Sequence, residues 1–137
     1  RLISFRDRVT QAIGDAPISL NIENVGGFEA YMREGIELLL ESPVFGLTYD
    51  CGHNARYDQV DWDFIQKHHD RIRHMHVHDV KGKSDHQPFG TGDLDIPWEI
   101  SFAAQSAAKA VIEVKTAESL TKAVATLREY QANHQVK

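Results

Sequence analysis

The sequence has a single cysteine, Cys51, in 137 residues, so it cannot close a disulfide within the chain. It has no apolar run approaching the roughly 18 residues a membrane-spanning helix needs, and no membrane role is expected. Basic residues are in deficit. Fifteen Lys and Arg against twenty Asp and Glu give a formal charge of −5, which provides no electrostatic footprint for a nucleic-acid backbone, and no nucleic-acid partner is expected. There is also no low-complexity tract, internal repeat or dividing linker, so residues 1–137 read as one domain. An ordinary composition, 42% hydrophobic and 26% charged, leaves enough apolar surface for a packed core. These exclusions leave a soluble, cytoplasmic protein as the expectation. The sequence starts at Arg1, without Met or a signal-like segment, which is expected of a chain whose natural start lies upstream.

What is present is an alternation of helical and strand-like periods in the order αβαβαβαβα. Leu2–Ile13 places Leu2, Phe5, Val9 and Ile13 near one helical face before a Gly-Asp-Ala-Pro stop. The spacing then predicts strands at Ile18–Glu23, Phe45–Asp50, Ile72–Asp79 and Ala110–Val114. Helices are predicted at Phe28–Glu41, Asp61–Asp70 (capped near Asp61), Trp98–Ala108 and Ala117–Tyr130, the last opened by Thr116. A polar segment from Lys81 to Pro97 reads as a long functional loop. Strands regularly separated by helices make βαβ units and a parallel sheet, so the class is α/β.

The phase of the side chains along each strand carries more information than the strands themselves. Ser19, Asn21 and Glu23 share one face; so do Gly46, Thr48 and Asp50, then His74, His76 and His78, then Val111 and Glu113. Each strand is apolar on the other face and ends in an ionisable group, as the lumen of a (β/α)8 barrel does at its C-terminal rim. Glu23, Asp50, His76 and Glu113 stand 27, 26 and 37 residues apart, one βα unit each. Any one of them admits a plainer reading as a solvated strand end, or for Asp50 a turn before Gly52. Their coincidence in phase and position does not. Three converging carboxylates repel unless a cation compensates them, and with one imidazole they suit a divalent metal: Mn, Co, Mg or Zn.

The stretches Asn21-Ile22-Glu23-Asn24, Asp50-Cys51-Gly52-His53, His76-Val77-His78-Asp79 and Ile112-Glu113-Val114 resemble, in order and spacing, the site motifs of the xylose isomerase-like TIM barrels. That superfamily groups sugar phosphate isomerases and epimerases with endonuclease IV (AP endonuclease family 2). The resemblance implies a (β/α)8 TIM barrel of which about four βα units, the C-terminal half, are present. It implies that Glu23, Asp50, His76 and Glu113 bind one divalent metal ion and that Glu23 and Glu113 trade proton donor and acceptor roles through an enediolate intermediate. His53 and His86 would contact the substrate, a sugar or sugar phosphate.

Two other readings stand beside this one. An endonuclease IV-like phosphodiester hydrolase needs a multinuclear cluster, and here Ser84 occupies the position two before His86 where that branch has Asp, with Asp85 shifted by one. Alternatively the chain is a truncated, non-catalytic half-barrel. In either case the open sheet edges are expected to pair with a second copy, as a homodimer, or with a missing N-terminal half.

Overall fold

The computed structural model describes residues 1–134. Four parallel strands form its main sheet in the order β1 (Leu20–Glu23), β2 (Phe45–Asp50), β3 (Ile72–Val77) and β6 (Lys109–Ile112). Between them run α2 (Ala30–Leu40) after β1, α3 (Cys51–Arg56) and α4 (Trp62–Lys67) after β2, and α5 (Ile96–Gln105) after β3; α1 (Leu2–Ile13) precedes the sheet and α6 (Ala117–His134) follows it. This is an α/β fold with half the strands of a TIM barrel. Sequential order across the sheet means that every crossover joins neighbours, and each strand reaches its C-terminal end on the same rim.

The core lies between the sheet and its helices. Leu47, Tyr49, Ile72, Met75 and Val77 project from the strands onto Ile65, Phe64, Ile96, Ala103 and Ala123. Tyr49 packs against Trp62 and edge-on against Phe102, at centroid distances of 6.0 and 5.9 Å. On α2, Ile36 and Leu40 are buried, whereas Met32 is exposed. Burial of such side chains is worth about 1.5–3 kcal/mol each. At the opposite end of the sheet, Arg71 donates to the carbonyls of Leu40, Ser42 and Phe45 and ties the entry to β2. At the site end, Asn24 is 1% exposed. Its Nδ2 donates to the Asp50 carbonyl (3.0 Å) and its Oδ1 accepts from the Asp50 N–H (2.8 Å), so the chain leaving β1 is bolted to the last residue of β2.

Several sequence expectations need correction. The Asp61 side chain does not cap α4. Its Oδ1 accepts instead from the Phe28 N–H (2.8 Å) and Arg33 (3.2 Å), because a buried carboxylate is better satisfied across elements than within its own turn. The segment read as a continuous loop from Lys81 contains a small antiparallel hairpin, β4 (Asp79–Lys81) and β5 (Ser84–Gln87). Helix α5 begins before Trp98, with Asp95 as its cap accepting from the Trp98 N–H and Pro97 in its first turn. Thr116 does cap α6, accepting from the Ser119 N–H at 3.0 Å.

Candidate functional site

The site is built at the C-terminal rim because the strand register brings the rim residues level. Asp50 pairs with His76 across β2 and β3, and His76 with Val111 across β3 and β6. Glu113 lies just past β6 and continues the ladder through its N–H to the Val77 carbonyl (3.1 Å). Glu23 closes β1 on the other side.

All four predicted ligand residues converge on one point. His76 Nδ1 lies 3.0 Å from Glu113 Oε2, 3.3 Å from Glu23 Oε1 and 3.6 Å from Asp50 Oδ2. His53 Nδ1 joins from α3, 3.4 Å from Asp50 Oδ2 and 3.7 Å from Glu23 Oε1. Yet His76 Nδ1, His53 Nδ1 and Glu113 Oε2 are buried and have no hydrogen-bond partner among the described residues. The atoms are close but not directed at one another. Donors bound about 2.0–2.2 Å from a common cation sit roughly 3 Å apart with their lone pairs turned inward, and this arrangement has that character. The ligand atoms of Asp50, His76 and Glu113 fall within 4.8 Å of one another, as do those of Glu23, Asp50 and His53. These residues fit a divalent metal.

The four are not equivalent. The Asp50 side chain is 0% exposed, against 29% for Glu23 and 40% for Glu113. Asp50 Oδ1 accepts from the His53 N–H (2.7 Å) and faces His78 Nε2 (3.1 Å). Burial alone would raise its carboxyl. The His78 hydrogen bond, helped by His53, outweighs burial and holds it below the ordinary carboxylate range. Asp50 is thereby a fixed anion, while the two glutamates stay reachable.

His78 and Asp79, to which the sequence assigned no role, brace the residues around the cluster. The His86 N–H donates to His78 Nδ1 (2.8 Å), which puts the ring proton on Nε2, where it can donate to Asp50. The His78 ring stacks on His86 at 4.3 Å, and His86 itself adopts φ 56°. Only glycine fits at position 52, since a Cβ there would overlap the His78 ring. Asp79 accepts from the N–H groups of Val80 (2.8 Å), Gly92 (2.8 Å) and Leu94 (3.1 Å), so it anchors the Gly90-Thr91-Gly92 loop beside the site. His86 reaches the cluster, its Nε2 3.6 Å from Glu113 Oε1, with the His53 ring 5.7 Å away. Asp85 is paired with Arg56 (2.7 Å), His86 Nδ1 (2.9 Å) and Lys115 (3.5 Å). Against the cost of burial, His86 and then Arg56 hold its carboxyl far below the ordinary range.

With this rim in view, the sequence comparison decides the family: residues 2–131 match the xylose isomerase-like TIM barrel model. The chain belongs to the xylose isomerase-like TIM barrel family. No curated protein matches it. The superfamily includes isomerases, epimerases and endonuclease IV-like members, so the family fixes the architecture and leaves the reaction open. In a xylose isomerase-like TIM barrel the strand C-termini carry the chemistry, and that is the rim on which these carboxylates and imidazoles meet. No described helix is long and apolar enough to cross a membrane.

Proposed function

We propose that the chain carries the metal site of an isomerase or epimerase acting on a sugar or sugar phosphate. The observation that carries the reading is the convergence of Glu23, Asp50, His76 and Glu113 without hydrogen bonds between them. They would hold one divalent ion, Mn, Co, Mg or Zn, the oxygen-rich set favouring the harder ions. When bound, such an ion supplies Lewis-acid stabilisation of negative charge developing on a substrate oxygen. Glu23 and Glu113 are the partly exposed carboxylates. One removes and keeps the proton on the carbon beside the substrate carbonyl, giving an enediolate, and the other donates a proton of its own to the enediolate. Asp50, locked by His78 and the His53 N–H, takes no part in proton transfer. His53 and His86 flank the pocket and orient substrate oxygens.

A specific grouping, His53 with His78 and His86, gives the multinuclear hydrolase reading some support. Against it, His78 is committed at both nitrogens and Asp85 is neutralised by Arg56 and Lys115. Metal stoichiometry and solvent exchange test the choice together. About one ion per chain, with deuterium from heavy water entering an aldose or ketose phosphate beside its carbonyl, is the expected result. Three ions with cleavage of abasic-site DNA would overturn it.

We infer further that the sheet edges at β1 and β6 are closed by four more strands, supplied by a second copy or an N-terminal half. Exposed Ile18, Leu20, Val25 and Val111 at those edges support this. Sedimentation is expected to give twice 15.5 kDa where a second copy supplies them; a 15.5 kDa species that binds an added N-terminal half supports the other source, and one that binds neither removes the inference. The buried, unpaired Cys51 accords with a cytoplasmic location.

A further inference from the structure

Behind the sheet, on the face opposite Asp50, a cavity of about 310 Å³ opens between α3, α4 and the start of α5. It shares no residue with the carboxylate–imidazole cluster. Its walls include Tyr49, Trp62 and Trp98, and its acidic groups are Asp93, Asp95 and Glu99; among the described residues no Lys, Arg or His lines it. The two indoles meet edge to face at 5.3 Å. Asp95 and Asp93 are engaged by backbone N–H groups, those of Trp98 and Gly82. Glu99 is different: it is 6% exposed, and its Oε2 has no hydrogen-bond partner among the described residues. A buried carboxyl oxygen left unsatisfied costs about 1–3 kcal/mol unless something binds it.

We propose that this cavity is a binding site for a small organic cation, an alkylammonium or guanidinium compound, whose charged head reaches Glu99 and whose apolar part lies against Trp62 and Trp98. Aromatic faces beside a desolvated carboxylate suit a cation and exclude an anion. The site is independent of the proposed reaction and stands even if that reading fails.

The chain's only two tryptophans both line the cavity, so intrinsic fluorescence reports it directly. The probe is n-butylammonium in alkaline buffer, compared with 1-butanol and butyrate. Expected is a saturable change with butylammonium alone, weakened about tenfold or more in Glu99→Gln, as loss of a charged hydrogen bond implies. Divalent-metal affinity is expected to stay unchanged in that variant. Equal responses to butanol and butylammonium, no saturable response, or undiminished binding in Glu99→Gln would each overturn the proposal. The wild-type comparison of the three probes decides the matter without the variant.

Discussion

Glu113→Gln is expected to lower divalent-metal affinity by more than the roughly 10- to 100-fold that loss of an outer partner of a metal ligand costs. The substitution keeps the shape of the side chain and removes one charge and one converging oxygen. Glu113 Oε2 lies 3.0 Å from His76 Nδ1, and among the described residues it makes no hydrogen bond whose loss would disturb the fold. In metal-free protein the variant is therefore expected to match the parent within about 0.5 kcal/mol. Removing one of three like charges acts, if anything, in its favour. Metal-induced stabilisation is where the two should part, since binding raises stability by RT ln(1 + [L]/Kd). Calorimetric titration with Mn²⁺ and thermal unfolding with and without the ion measure both quantities. Unchanged affinity would remove Glu113 from the ligand set and with it the proposed proton-transfer pair.

The second large effect concerns Glu99, whose carboxyl is pushed up to about 8 by burial first, then by Asp95 and Asp50. Because its folded value lies above the ordinary 4.5, the folded state holds a proton that the unfolded chain releases between those values. The associated stability is fully present below the unfolded value and is lost as pH rises through the folded one. The slope is about 1.4 kcal/mol per pH unit, or on the order of 5 kcal/mol across the window. Glu99→Gln is neutral at every pH and removes that loss. Urea unfolding between the two values is expected to show the variant gaining on the parent steadily as pH rises. Parallel pH profiles would show that Glu99 is not held protonated.

Much of this architecture was legible because the periodicity was strong. β2 could be bounded to the residue: Pro43 stops what precedes it, Phe45, Leu47 and Tyr49 alternate with smaller or polar residues, and Asp50 ends the run. The four converging residues were legible for the same reason, since phase along a strand dictates which side of the sheet a residue faces. Helix α3 was not. Cys51–Arg56 has no apolar stripe, and it forms because Asp50 caps it through the His53 N–H. The β4–β5 hairpin escaped because its strands are three and four residues long and mostly polar; its signal was Gly82, which adopts φ 61° between two lysines. Asp95 and Pro97 did announce the start of α5, but a proline inside a polar stretch reads equally as loop. His78 shared its phase with His76, yet β3 ends at Val77, so beyond it strand alternation no longer says where a ring goes.

Asp79 has an implication for how the site meets its ligand. Its carboxylate grips the chain at Val80 and again at Gly92 and Leu94, the two ends of the segment that walls the pocket. Swinging that segment aside would strand a fully buried anion, at about 1–3 kcal/mol for each bond broken. The segment is thus a wall rather than a lid. Its ordering is completed when the chain folds, so an incoming ligand meets a preorganised surface and does not bear the entropy of arranging it.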